Sequence, residues 1–450
     1  MKSQRIMNPL NIIGLLLISL LLNSCGLLTP LLSSANPQIH PKNPIIIIPG
    51  AMGSALINPK TNEVVWGKMI DLQVANPHEA LLFPEKDGVE LPVDATHADG
   101  LIAANVLSRF EMLNRVGSVT VYEDLIHSFS SCGLVEGDIQ RCSGSDNIYL
   151  FSYDWRQDLV LTAKLLAERI EAIQAVSPPG TKVTLIAHSM GGLLAQYYLM
   201  YGGKDVLSDS SLTPDYAGVP NIDKVFFLGV PFGGTPMAFK SLHEGEWIGP
   251  GLTISNWATF TMPAIYELLP FNNPDLFADT DDQTVPIDLS HINTWKESGF
   301  SIFEKREWSE FEQLCQTSFP NSGPDLAHDL SQQYQSFFQA ALRRGVLFQG
   351  ALNQIDWGQI SSEKFVVMGD CQQTLEQIRI AEADAQKQVH IVQSRFLNEH
   401  YWLGNDGDGI VLASAAAGVT PFSKHVLRGC FRHRSMPNQD EVIQFILENL

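Results

Sequence analysis

The run Val183-Thr-Leu-Ile-Ala-His-Ser189-Met-Gly-Gly192, continued by Leu193-Leu-Ala-Gln-Tyr-Tyr-Leu-Met200, decides how this chain is read. Mostly β-branched and apolar residues lead up to a serine, two glycines follow, and the pattern then becomes helical. A buried strand, a tight turn at a serine and a helix make a nucleophile elbow, which lifts the hydroxyl clear of a sheet. Such a turn is strained, so its flanks must be small, and Ala187 and Gly191 stand two residues to either side of Ser189. Glycine is usual at the first of these positions, and alanine is the mildest departure from it.

Outward from the elbow, other strands announce themselves. Ile45-Ile-Ile-Ile48 runs into Pro49-Gly-Ala-Met-Gly-Ser54, and an unbroken apolar run of this kind suits a strand covered on both faces. Asn147–Tyr153, Val225–Val230, Phe365–Met368 and Lys424–Phe431 read as further strands. Val119–Phe129, Leu159–Ala175 and Glu441–Leu450 read as helices, the second stopped by Pro178-Pro-Gly180. Strands alternating with helices predict an α/β fold with a mainly parallel central sheet. From Pro236 to about Gln359 the strand-like runs disappear, and aromatic residues and leucine recur at helical spacing, as in Asp325–Leu347. The expected organisation is a core over 43–235, an inserted, mostly helical cap over 236–360, and the rest of the core over 361–450.

Acidic residues exceed basic ones by 20, which argues against nucleic acid as a partner and against electrostatic adhesion to anionic lipid. The N-terminus offers a covalent route to a membrane instead. Lys2 and Arg5 precede an apolar segment, Ile12–Leu22, that is too short for a comfortable span. The segment ends Leu22-Asn-Ser-Cys25-Gly26, which resembles the lipobox of bacterial lipoproteins. That resemblance implies a signal peptide over 1–24, a lipid-bearing Cys25, a tether over 25–42 and a place in the bacterial cell envelope. Gly26, rather than aspartate, after the cysteine favours the outer membrane over the inner. Removing residues 1–24 takes two positive charges and no acids, shifting the net charge from −20 to −22. Apart from the lipid-bearing Cys25, five cysteines remain, so at least one thiol stays unpaired within a monomer. Cys132 and Cys142 would close a short loop as a disulfide, and no cysteine spacing has the form of a metal site.

A serine hydroxyl needs a base to take its proton, and the base needs an orienting carboxylate. Where the nucleophile sits on a strand-to-helix elbow, acid and histidine follow it in that order. Gly404-Asn-Asp-Gly-Asp408-Gly-Ile-Val411 is a glycine-rich loop of the right kind; Asp408 is the favoured acid and Asp406 the alternative. Two histidines come later. His425 lies within the last predicted strand, whereas His433 follows it in a segment able to reach the elbow, so His433 is favoured as the base. His188 adjoins the serine, but its side chain should point elsewhere. Two backbone N–H groups must also receive the oxyanion. Met190 supplies one, and Ala51, with Met52 as alternative, supplies the other from the glycine-rich loop after Ile48.

Taken together, Pro49-Gly-Ala-Met-Gly-Ser54, Tyr153-Asp-Trp-Arg156, Ala187-His-Ser-Met-Gly191, Pro231-Phe-Gly-Gly-Thr-Pro236, Ile265-Tyr-Glu-Leu-Leu-Pro270 and Gly407-Asp-Gly-Ile-Val411 resemble the lecithin:cholesterol acyltransferase family. That family includes lysosomal phospholipases and phospholipid:diacylglycerol acyltransferases. The resemblance implies an α/β-hydrolase core with a cap, a Ser189–Asp408–His433 triad and no cofactor. It further implies a lipid or phospholipid acyl donor, with water or an alcohol as acceptor. Ile410 departs from the threonine usual after Gly-Asp-Gly. Eukaryotic members of the family often carry a tryptophan on a disulfide-tied loop; Trp66 falls in that region, as core or rim, but no cysteine lies between Cys25 and Cys132. Two other readings stand beside this one: a carboxylesterase for non-lipid esters, and a catalytically dead lipoprotein that binds lipid or a partner.

Overall fold

The computed structural model describes residues 38–67, 100–111, 118–208, 211–249, 252–304, 309, 324–383, 388–391 and 401–450. The stretch expected to be a signal peptide, 1–24, the expected lipid-bearing Cys25, residues 26–37 of the expected tether and Cys315 lie outside the described residues. Among the described residues seven strands form the central sheet: β1 (Ile45–Ile48), β2 (Glu136–Gly137), β3 (Ile148–Leu150), β4 (Val183–His188), β5 (Ile222–Leu228), β6 (Glu363–Gly369) and β7 (His425–Gly429). Their order is β7-β6-β5-β4-β1-β3-β2, and every neighbouring pair is parallel. The strand bearing the elbow is therefore interior, with Ala187 registered between Ile48 and Phe227.

Side chains alternate across this sheet and divide the apolar residues into two cores. Ile46, Ile48, Leu185 and Phe227 face one core, and Ile45, Ile47, Ile186 and Phe226 face the other. Four helices cover the two faces: α1 (Glu123–Ser131), α2 (Leu159–Val176), α3 (Met190–Tyr201) and, at the C-terminus, Asp440–Asn449. Helices α2 and α3 lie over the first core, while α1 and the C-terminal helix lie over the second. Both faces being covered explains why β1 and β4 read as continuous apolar runs rather than alternating ones. All of α3 is buried, as its nearly all-round apolar sequence requires. Each large aliphatic side chain so enclosed contributes about 1.5–3 kcal/mol relative to exposure. Asp158 starts α2 by accepting the Val160 and Leu161 amides at 2.8 and 3.1 Å, a cap of the kind that stabilises a helix by about 1 kcal/mol.

The segment 236–360 carries helices α4 (Pro236–Glu244), α5 (Pro263–Glu267) and α6 (Pro324–Leu352), along with further short helical segments. Its aromatic residues form the interior of this region, with Phe239 against Trp295 and Phe300, and Trp295 against Phe338, at centroid distances of 5.0–5.4 Å. It also holds a small antiparallel hairpin, Glu246–Gly249 with Leu252–Ile254, and Phe277–Ala278 pairs with Thr374–Ala383. Strands of two to four residues are too short to show an alternating pattern, which is why the helical rhythm alone was visible there.

The disulfide expected between Cys132 and Cys142 does not form: both thiols are free, and Cys371 is bridged to Cys430 instead. Cys132 ends α1 within the second core, whereas Cys142 packs toward the first, so the two belong to opposite faces of the sheet. Nearness in sequence does not bring two thiols together when their Cβ vectors diverge. The observed bridge joins the residues just beyond β6 and β7, which are neighbours in the sheet. Among the described residues no helix is long and apolar enough to cross a membrane.

Candidate active site

Ser189 sits between β4 and α3 with φ 55° and ψ −128°. A non-glycine residue held there stores about 1–3 kcal/mol of strain, supported here by the Ser189 amide donating to the Leu228 carbonyl at 2.8 Å. The requirement for small flanks is visible at Gly191, where a Cβ would lie 2.5 Å from the Pro49 carbonyl oxygen. Thus the loop after β1 is pressed against the elbow. Ala187 is fully buried and ends its side chain in the first core, so the methyl in place of hydrogen is accommodated by packing.

Two segments far from it in sequence converge on this serine. Ser189 Oγ is 2.8 Å from His433 Nε2, and His433 Nδ1 is 2.7 Å from Asp408 Oδ2. His433 opens a short 3-10 helix just after β7, and its own amide donates to the Asp408 carbonyl at 2.9 Å. Asp408 Oδ1 accepts the Ile410 and Val411 amides at 2.9 and 2.7 Å. Burial acts to raise the Asp408 pKa, but the facing His433 and these hydrogen bonds outweigh it and hold the group below the ordinary carboxylate value. The loop bearing Asp408 is fixed to the end of β6, because the Cys371 and Gln372 amides both donate to the Gly407 carbonyl. Gly229, directly after β5, has φ 56°, and a Cβ there would lie 3.0 Å from Asp408 Oδ2 and 3.2 Å from His433 Nδ1. Only glycine lets the backbone pass beneath this pair.

The alternatives fall elsewhere. Asp406 is exposed and lies 3.9 Å from Arg428, and His425 is an exposed residue of β7 stacked on Phe365. Met190 opens α3, where the first amides have no helical acceptor. Ala51 and Met52 lie in the loop against the elbow, Met52 with φ 63°. Its carbonyl accepts Trp66 Nε1–H at 3.0 Å, and Trp66, 3% exposed, packs edge-on against Trp155. Trp66 is therefore a core residue that braces this loop.

The Tyr153-Asp-Trp-Arg156 quartet braces the same loop from below. Tyr153 Oη donates to the Pro49 carbonyl at 2.7 Å and Trp155 Nε1 donates to the Ser54 carbonyl at 3.2 Å. Arg156 pairs with Asp154 through two hydrogen bonds, of 2.9 and 2.7 Å. Sequence reasoning missed two further residues. His188 turns away from Ser189, as expected, but bridges the Tyr122 hydroxyl and the His433 carbonyl, at 2.8 and 3.0 Å. Burial, with the nearby His433 adding to it, lowers the His188 pKa to about 3. A histidine or tyrosine in a strand-to-helix context carries no sequence signal for contacts of this range.

A second buried charge cluster joins the 236–360 segment to α2. Arg344 of α6 pairs with Asp158 and, at 2.9 Å, with Asp205. Glu267 of α5 accepts the Leu159 amide at 2.8 Å on one oxygen, and among the described residues its other oxygen has no hydrogen-bond partner.

A parallel sheet with a strained serine at the end of an interior strand, and histidine and carboxylate on loops at the same edge, defines an α/β-hydrolase. The profile of the lecithin:cholesterol acyltransferase family matches residues 60–318. That is more than half of the chain, and the protein belongs to this family. The match includes Ser189 and ends before Asp408 and His433. A phospholipase A(1), LCAT3 of Arabidopsis thaliana, is 27% identical over 267 residues, which is 53% of this chain and 54% of that protein. An uncharacterized protein of Saccharomyces cerevisiae is 25% identical over 273 residues, 60% of this chain and 35% of its own length. The chain thus spans about half, or less, of the curated relatives it matches. The crystal structure of the Tle4-Tli4 complex aligns with a TM-score of 0.55 at 13% identity, over 90% of this chain and 97% of that one, a likeness of fold.

Proposed function

We propose that this protein is a lipid acyl hydrolase or O-acyltransferase that works through an ester on Ser189. The observation that carries the reading is the unbroken chain from Ser189 Oγ to His433 to Asp408, at 2.8 and 2.7 Å. In this reading His433 Nε2 takes the hydroxyl proton as Oγ attacks the ester carbonyl, and Asp408 stabilises the imidazolium that results. The amides of Met190 and Ala51 receive the oxyanion, His433 returns its proton to the departing alcohol, and the acyl group stays on Ser189. Water or a second alcohol, activated by the same base, then takes the acyl group and restores the serine. Each proton and leaving group is accounted for without a cofactor.

Membership of the family, and the phospholipase named among the relatives, support a glycerolipid as acyl donor. The lipobox-like Leu22–Gly26 supports a lipid on Cys25, holding the enzyme at the bacterial envelope with the outer membrane favoured. The Cys371–Cys430 bridge suits such an oxidising place. The test is purified protein on mixed phospholipids, with and without a sterol or long-chain alcohol, read by mass spectrometry. New esters identify a transferase and free fatty acid alone a lipase. Turnover of short soluble esters with every phospholipid left intact contradicts a lipid donor.

A further inference from the structure

Tyr122 and His188 take no part in the proton transfers above, yet both are buried and both touch the site. Tyr122 is 1% exposed and precedes α1; His188 is 5% exposed and ends β4. Three hydrogen bonds join them in series: Gly50 amide to Tyr122 Oη at 2.9 Å, Tyr122 Oη to His188 Nδ1 at 2.8 Å, and His188 Nε2 to the His433 carbonyl at 3.0 Å.

The direction of this series follows from donor chemistry and from the burial of His188. A carbonyl only accepts, so His188 Nε2 carries a proton and donates. An amide N–H only donates, so the Tyr122 oxygen accepts at that end. Burial keeps the His188 ring neutral, which leaves Nδ1 an acceptor for the tyrosine proton. Every group is satisfied in one tautomer, and the relay runs one way, from Gly50 to His433.

Both ends matter for the reaction. Gly50 precedes Ala51, in the loop assigned to the oxyanion. At the other end, the His433 backbone is gripped twice, its amide by the Asp408 carbonyl and its carbonyl by His188. The two imidazoles lie 5.0 Å apart, tilted by 38°. A charged His188 at that distance would oppose the imidazolium that forms on His433; a neutral one does not.

We propose that Tyr122 and His188 are positioning residues, a directed hydrogen-bond relay that ties the oxyanion loop to the backbone of the base and keeps His433 within reach of Ser189. The inference rests on the Ser189–His433 reading above and assigns two residues to its support. A base displaced from its hydrogen bond slows the chemical step without changing how substrate is held. Losing the relay should therefore lower kcat and leave KM nearly unchanged.

The experiment measures kcat and KM on p-nitrophenyl butyrate, per active site titrated with a fluorophosphonate, for Tyr122→Phe, His188→Ala and His188→Gln, and hydrolysis per mole of protein for Ser189→Ala, with thermal melting as the check on folding. Tyr122→Phe keeps the ring that packs on His188, and should lose on the order of 10-fold in kcat with KM within about twofold. His188→Ala should lose at least as much. His188→Gln, whose amide can donate to the His433 carbonyl and accept from Tyr122, should regain most of that loss. A purely structural role would lower the melting temperature and the titrated fraction, leaving kcat per titrated site at the wild-type value; that result overturns the relay. So does a His188→Gln no better than His188→Ala. If His188→Ala fails to fold, Tyr122→Phe and His188→Gln decide the matter between them. Hydrolysis that survives Ser189→Ala would instead remove the nucleophile reading itself, an outcome distinct from failure of the relay.

Discussion

Asp408 and Glu267 are both carboxyl groups taken out of water, at 3% and 0% exposure, and the protein treats them in opposite ways. Asp408 accepts two backbone amides and faces a histidine, and its pKa falls below the ordinary carboxylate value despite burial. Glu267 accepts one amide, has Asp158 nearby, and keeps one oxygen without a partner among the described residues. Burial, with Asp158 adding to it, raises its pKa well above the usual value, and the Leu159 amide and Arg344, which act to lower it, do not offset this. Burial alone thus does not set the charge of a carboxyl group; the number of donors aimed at it does. One region is built to keep a negative charge ready beside a histidine. The other joins two parts of the fold with a carboxyl group that burial pushes toward its neutral form.

Substitutions that exchange these two conditions break the comparison most sharply. Asp408→Asn removes the charge facing His433 while leaving an isosteric amide, and kcat on a soluble ester should fall by about 10⁴-fold, the order known for such a change in a Ser-His-Asp triad. A loss under tenfold would show that the charge is dispensable. Arg344→Ala strands Asp158 and Asp205 without their cation, and denaturant unfolding should show a loss of about 3–5 kcal/mol.

Glu267→Gln keeps the acceptor for Leu159 and should stabilise the fold by on the order of 1 kcal/mol at neutral pH. The sign follows from linkage. A carboxyl group whose folded pKa is raised costs nothing below its unfolded value, and its cost grows as pH rises from there toward the folded value. The stabilisation by glutamine should accordingly vanish near pH 4 and grow toward neutral pH. The reverse slope would mean that Glu267 is ionised. Asp408 carries the opposite sign, since its contribution to stability is present above the unfolded pKa and is lost as pH falls through the depressed folded one. The smallest effect belongs to His425→Ala, an exposed change expected to leave activity and stability within about 0.5 kcal/mol of the parent.

Much of the corner around Ser189 was legible in sequence, and the reason is local. The strand, the strained turn and the helix around Ser189 lie in one continuous stretch, and small flanks are a requirement any reader can check. Asp408 and His433 were legible because a late glycine-rich loop and a loop after the last strand are the places from which such groups can reach the elbow. What stayed hidden depends on meetings across the sheet. Tyr122 finds Gly50 and His188 at separations of 72 and 66 residues, and Arg344 finds Asp158 at 186. Periodicity tells which face of an element is buried, but not which neighbour it meets. For the same reason Cys132 and Cys142 looked like partners until the sheet placed them on opposite sides. Gly229 was read as one more strand residue, although a glycine inside a strand often marks a close approach, here of Asp408 and His433.

The central claim is that Ser189 is a nucleophile made reactive by His433. Its most direct test is covalent labelling of the folded protein with a fluorophosphonate, followed by peptide mass spectrometry. The account predicts a single adduct on the peptide containing Ser189, absent in Ser189→Ala and strongly slowed in His433→Ala. Folded protein that takes no label, or takes it equally after Ser189→Ala, would contradict it.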